Sequence, residues 1–230
     1  MTGKNEYLAL FERTKPVLIM SLPYNEPALC QAAFAAGADV VKVHLNVDHH
    51  ASGTHFGSLA EERPRLEEML AHRKGPMGVV PGADPENISR DLEALKQLPF
   101  SFCSVYAHHL PAYAVESPFA LMAACDSTYT LDEIREMPAI GADVVEASII
   151  PGGEYGQRLS MRDLLKYRAI TRLVDVPVVV PTQRVILPEE VKQLVRAGVR
   201  GIMIGAVVTG KTEQGIADAV RAFRRAIDEE

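Results

Sequence analysis

The chain has 230 residues, with 24 Lys and Arg against 30 Asp and Glu, a formal net charge of −6. A hydrophobic content of 47% with 23% charged residues is an ordinary globular balance and excludes disorder as the main theme. The acidic balance argues against partners such as nucleic acid or an anionic membrane, which need a positive surface field, and no apolar run approaches the ~20 residues that span a bilayer.

From the N-terminus, MTGKNEYLALFERTKPVLIMSLP carries early acids and only a short Pro-bounded apolar run, so it does not read as a secretory signal. Strand candidates follow at 16–22, 39–45, 76–82, 100–106, 119–125, 143–149, 177–182 and 201–207. Amphipathic segments at 27–37, 59–73, 86–98, 131–141, 160–174, 189–198 and 213–229 read as helices between them. The stretch 107–118 reads as loop with at most one helical turn. Continuous apolar strands alternating with helices mean parallel strands covered on both sides. Eight such units favour a single α/β domain, a closed (β/α)8 TIM barrel, over an open doubly wound sheet. The three cysteines, Cys30, Cys103 and Cys125, lack CxxC spacing and are expected to be reduced thiols of a cytoplasmic protein.

An internal echo fits the barrel. AAGADVVKVH (35–44) and AIGADVVEAS (139–148) share Gly-Ala-Asp-Val-Val in phase, and AGVRGIMIG (197–205) is a looser copy. Each describes a helix stopped by Gly, a short turn, and a buried strand. As the second and sixth strands, the first two copies should stand opposite each other. Lys42 and Glu146 then point into one interior layer near the catalytic end; the alternatives are an outward placement or a structural ion pair.

Chemistry in such barrels sits where the strands end, and these ends are polar. The first offers Ser21 and the second Lys42 and His44, followed by Asn46, Asp48, His49, His50 and His55. The fourth offers Tyr106, His108 and His109, the fifth Asp126, the sixth Glu146, Ser148, Gly152 and Gly153, and the seventh Thr182, Gln183 and Arg184. Of the seven histidines only His72 falls on a predicted helix. The last two units predict a phosphate site on backbone N–H groups at Gly205 and Ala206 and beside Gly152 and Gly153, with Gln183 and a charge-assisted fork from Arg184; a plain Arg184–Glu pair is the alternative. Ser21, Asn46, Tyr106, His108, Asp126 and Ser148 are candidates for substrate contact. The segment 46–59, with Gly53 and Gly57, has the composition of a mobile cover.

Residues 177–209 resemble the end of the ribulose-phosphate-binding barrels, and among them the N-acetylmannosamine-6-phosphate 2-epimerase family. Gln183-Arg184, Pro188, Ala197-Gly198 and Gly205-Ala206-Val207-Val208-Thr209 carry the likeness, with echoes at Leu18–Ser21 and Asp126-Ser127-Thr128. The resemblance implies the scaffold, a phosphate end and carbohydrate metabolism. The family's catalytic Lys falls where this chain has Val80-Pro81-Gly82, its acid before the Gly-Arg pair is replaced by Pro181-Thr182, and its fourth-strand Asp is absent.

The expected function is therefore an isomerase, epimerase-like, or a lyase acting on a small phosphorylated metabolite without a cofactor. Glu146 would be general base, with Lys42 or His44 as acid or carbonyl polariser, or Lys42 a Schiff-base amine. A second reading is a metal-dependent epimerase, aldolase or hydrolase, with a divalent ion on His44, Asp48 and His108; ribulose-phosphate 3-epimerases resemble this idea. A third is a non-catalytic barrel that binds a phosphorylated ligand. Apolar residues in the first helix and at Leu110, Tyr113, Val115 and Phe119 leave room for a homodimer.

Overall fold

The computed structural model describes residues 3–230. Ten strands form: β1 Val17–Ser21, β2 Val40–His44, β3 Val47–His49, β4 Thr54–Phe56, β5 Met77–Val80, β6 Phe102–Tyr106, β7 Ala120–Cys125, β8 Val144–Ala147, β9 Val178–Pro181 and β10 Gly201–Ile204. Eight close a parallel barrel in the order β1-β10-β9-β8-β7-β6-β5-β2, while β3 and β4 pair separately as an antiparallel hairpin. The chain is a (β/α)8 barrel. The eight strand candidates are the eight barrel strands, each trimmed by a residue or more; residues 206–207 leave the last strand and enter a helix.

The helices are α1 Gly3–Ala9, α2 Pro27–Ala36, α3 Leu59–His72, α4 Pro85–Leu95, α5 Leu131–Ile140, α6 Met161–Thr171, α7 Val191–Arg196, α8 Ala206–Thr209 and α9 Glu213–Asp228. Their starts follow from local chemistry. Thr130 and Ser160 close capping boxes with Glu133 and Asp163, and the Asp84 carboxylate accepts the Asn87 N–H at 2.8 Å. Between β6 and β7 there is only a 3₁₀ turn, Ala112–Ala114, so one of the eight outer helices is missing where the sequence lacked a helical period. Among the described residues no helix is long and apolar enough to cross a membrane.

Strand alternation divides the interior in two. Outward residues such as Leu18, Val41, Val145 and Ile202 join the large core beneath the helices. Inward ones near the strand starts, among them Ile19, Val40, Phe102, Met122, Val144 and Val179, form a second cluster inside the barrel. The N-terminal segment plugs that end: Tyr7 of α1 stacks on Phe102 (4.2 Å between centroids, 15°), and Phe11 meets Tyr7 edge-on at 5.2 Å. Full burial of an aromatic ring of this kind contributes about 1.5–3 kcal/mol. Gly78 makes room for it, since a Cβ there would lie 2.1 Å from the Phe102 ring. Neither α1 nor the β3–β4 hairpin follows from the hydrophobic periodicity.

Candidate active site

Above the plug the inward positions turn polar. In an eight-stranded barrel each interior layer draws on alternate strands, and Lys42 of β2, Ser104 of β6, Glu146 of β8 and Met203 of β10 make such a layer. Lys42 and Glu146 start opposite each other and meet across the axis, with Nζ 3.3 Å from Oε2; each residue is only 5% exposed. The carboxylate is held more closely by two hydroxyls. Ser104 Oγ donates to Oε2 at 2.8 Å and Ser148 Oγ to Oε1 at 2.9 Å, while Lys42 reaches Ser104 Oγ at 3.4 Å. Charge buried at this depth costs several kcal/mol per ion unless paired and hydrogen-bonded, and here both conditions are met.

This group lies beneath a cavity of about 300 Å³ at the C-terminal mouth. Its walls include Ser21, His44, His49, His50, Tyr106, His109, Ser148, Tyr155, Thr182, Gln183 and Gly205. Asn25 pins the end of β2 from both sides, donating to His44 O at 2.7 Å and accepting the His44 N–H at 3.2 Å. The His44 ring packs 4.4 Å from His49 and 4.7 Å from Phe56, and its Nε2 lies 3.4 Å from Ser21 Oγ. Burial, with the like charges of His49 and Lys42, holds His44 well below the ordinary imidazole range. His49 is lowered to about 4, chiefly by burial and then by Lys42. Both imidazoles are neutral at pH 7. Burial raises Tyr106 and Tyr155, so the phenols stay protonated, and the Gln183 amide donates to the Tyr155 hydroxyl.

The segment 46–59, expected to be a mobile cover, forms the β3–β4 hairpin and lies over the mouth. Asn46 takes a left-handed turn (φ 50) at the end of β2, and Val47 pairs with Phe56. On the far side His50 Nε2 lies 3.1 Å from Gly152 O, and its ring meets Tyr155 edge-on at 4.9 Å. Of the two expected hinges, only Gly53 has a positive φ (60).

Several expected ligands are engaged elsewhere. Every guanidinium nitrogen of Arg184 has a partner: Nε and Nη2 donate to Asp163 at 3.1 and 3.2 Å, Nη2 to Glu154 at 2.6 Å, and Nη1 to Glu154 O and Gln157. In place of the expected phosphate fork, Arg184 braces the loop after β8 against α6. Gln183 lines the cavity, but its amide holds the same loop, donating to Ser148 O and Tyr155 and accepting the Ile150 N–H at 3.1 Å. Gly152 and Gly153 lie in a 3₁₀ turn outside the cavity wall. Asn46 is outside it too, donating to Asp91 and Pro81 O; Asp126 closes a turn on Thr128, and His108 is held by the Tyr129 hydroxyl at 2.9 Å.

The triad His44, Asp48 and His108 does not assemble as a metal site. Asp48 pairs with His55 at 2.8 Å on the exposed side of the hairpin, and among the described residues no group of three or more His, Cys, Asp or Glu converges. The sequence reading missed Ser104 and Tyr155. Ser104 was legible in principle, because it shares the inward phase of Phe102 and Tyr106. Tyr155 had no signal, being placed by a loop.

At the end of β10, Gly205 lines the cavity and its N–H donates to Thr182 Oγ1 at 3.0 Å. Ala206 then opens the short helix α8, whose internal hydrogen bonds begin with Val208 N–H to Gly205 O (2.9 Å). The N–H groups of Ala206 and Val207 come before that first bond.

No protein-family profile matches the chain and no curated protein matches it. Solved structures do match in fold. A chain of tryptophan synthase from M. tuberculosis, in its aminoacrylate- and BRD0059-bound form, superposes with a TM-score of 0.72 at 11% identity, covering 98% of each chain. A structure from Aquifex aeolicus VF5 gives 0.70 at 16% identity over 97% of this chain and 98% of that one. A mutant tryptophan synthase alpha-subunit from Pyrococcus furiosus gives 0.71 at 12% identity over 92% and 98%. At these identities the likeness establishes the closed barrel over nearly the whole chain, and the chemistry must be argued from the cavity.

Proposed function

We propose that the protein is an enzyme of the lyase or isomerase type that moves a proton next to the carbonyl of a small phosphorylated metabolite. The observation that carries the reading is the Lys42–Glu146 pair at the floor of the cavity, at the barrel end where strand-borne groups do chemistry. Glu146 is the base: two serine hydroxyls fix both its oxygens, so it presents one geometry to a substrate above it. Lys42 is the cation that polarises the carbonyl and stabilises the negative charge developing on its oxygen. His44, neutral at pH 7, faces the same space from one strand position further up and orients the substrate. The name shared by several structures of like fold, tryptophan synthase, is that of an enzyme, and agrees with a catalytic use of this barrel.

The phosphate is proposed to sit at the corner between β10 and α8, on the Ala206 and Val207 N–H groups beside Gly205. Arg184 takes no part. A cavity of about 300 Å³ lies at the lower end of the usual range for ligand sites, which fits a metabolite of a few carbons. The proton-moving groups are the chain's own side chains, so the reading requires no divalent metal.

The test is proton exchange in D2O, followed by NMR, with triose, tetrose and pentose phosphates as probes. Exchange at the carbon next to the carbonyl, abolished in Glu146→Gln, is the expected result. Absence of exchange or turnover with every probe overturns the reading. Inorganic phosphate should raise the melting temperature of the wild type, and Gly205→Asp should remove that response.

A further inference from the structure

We infer that Lys42 also captures the substrate covalently, forming an imine with a small phosphorylated aldehyde or ketone. This rests on the acid–base reading above and adds to it the bond through which the carbonyl is activated.

Three observations carry it. Among the described residues Lys42 supplies the only primary amine in the cavity wall, and none of the three cysteines lines that wall. Its two contacts, at 3.3 and 3.4 Å, are long, whereas the serines hold Glu146 at 2.8 and 2.9 Å. The carboxylate, held by the serines, therefore keeps its position when the amine moves. A third contact, to a main-chain carbonyl that would anchor the ammonium further, is absent among the described hydrogen bonds of Lys42.

The step balances without an outside reagent. One ammonium proton passes from Lys42 to Glu146 along the 3.3 Å contact. The freed lone pair forms the C–N bond, the carbonyl π pair moves to oxygen, and Glu146 returns the proton there. A second proton follows from nitrogen through Glu146 to the same oxygen, which leaves as water while the nitrogen lone pair closes the C=N bond. Of the three ammonium protons two depart in water and one stays on the iminium, so charge is conserved and nothing is oxidised or reduced. The iminium then accepts the electron pair of an adjacent C–H bond as the Glu146 carboxylate takes that proton, or of a C–C bond as Glu146 takes the hydroxyl proton of the fragment that leaves as a carbonyl compound. Glu146 returns the proton to the enamine carbon, and hydrolysis of the iminium consumes the water that was released.

Sodium borohydride trapping tests this. Wild-type protein is incubated with dihydroxyacetone phosphate or glyceraldehyde 3-phosphate, reduced, digested and mapped by mass spectrometry. The reduced adduct should fall on Lys42 at least tenfold above any other lysine, be suppressed by competing inorganic phosphate, and form at least tenfold more slowly in Glu146→Gln. Adducts confined to exposed lysines overturn the inference. If the wild type still exchanges the proton next to the carbonyl, the acid–base reading stands and the imine alone fails; if exchange is also absent, both fall. Mapping the wild-type peptides makes the result independent of whether Lys42→Arg folds.

Discussion

Residues 37–44 and 141–148 lie on opposite sides of the barrel and share their architecture up to the fifth residue of each copy. Gly37 and Gly141 end their helices at φ 108 and 121. Ala38 N–H returns to Ala33 O and Ala142 N–H to Met137 O. The Asp39 carboxylate accepts the Leu18 N–H at 2.9 Å, and Asp143 accepts the Leu121 N–H at 2.9 Å. Val40 and Val144 then enter the barrel, Val41 and Val145 the outer core. Only at the next position do the copies part, one into Lys42 and the other into Glu146. The shared half docks each strand on its neighbour at the base; the divergent half puts opposite charges in one layer. A single motif thus serves stability at one end and chemistry at the other, and the change of task falls between two consecutive inward side chains.

Glu146→Gln should divide the two ends most sharply. Loss of a general base removes about 10²–10⁴-fold of rate, so proton exchange should fall by that factor, while Asp39→Asn and Asp143→Asn leave the rate per folded molecule unchanged. Retained exchange in Glu146→Gln would dissolve the division.

Stability comes next. Glu146→Leu strands a buried ammonium and should cost about 3–5 kcal/mol, whereas adding Lys42→Met should recover most of it and leave the protein inert. Urea midpoints of the two single variants and the double variant read this coupling directly. At the base, Asp39→Ala and Asp143→Ala each orphan a strand N–H, a loss of about 1–3 kcal/mol. Asp39 should be the larger, since it also binds Arg13 and Arg224 at 3.2 and 3.0 Å, against Lys4 among the described residues for Asp143. Equal losses would mean that these outer cations contribute nothing.

The last effect is that of pH. His49 titrates near 4 in the fold and near its ordinary 6.5 in the unfolded chain. Between those values the unfolded state binds more protons, so stability rises with pH through that window and is lost as pH falls from 6.5 toward 4. His49→Gln should reduce that slope in denaturation curves taken across the window, leaving the share of His44, which is lowered in the same direction; an unchanged slope would remove His49 as a source.

The parts legible in the sequence are those governed by short-range periodicity. Val-Lys-Val-His and Val-Glu-Ala-Ser put their charged residues in one inward phase because a strand alternates faces, and the Gly-Ala-Asp turn fixed that phase relative to the preceding helix. Arg184 was misjudged because its partner Asp163 lies on α6, at a spacing no local pattern encodes. Asp163 also has a second local task, capping α6 with Ser160. The plug was invisible for a similar reason: Tyr7 and Phe11 are ordinary helix residues until Phe102 is known to point at them. The pairing within the segment over the mouth was hidden among small and polar residues, with only Val47 and Phe56 apolar at its paired ends.

The barrel seam has a consequence for synthesis. Val17 of β1 pairs with Gly201 of β10, and Met20 with Ile204, so the barrel strand earliest in the chain is completed by the barrel strand latest in it. While the chain emerges, β1 can pair with β2 but keeps an open edge on its other side, and apolar Leu18, Ile19 and Met20 stand along it. Arg13 is present to hold Asp39 from the start, but Arg224 reaches it only when α9 arrives. Closure is therefore a late, long-range event, and a ribosome-bound chain lacking residues beyond 200 exposes the edge at which nascent barrels stick to one another.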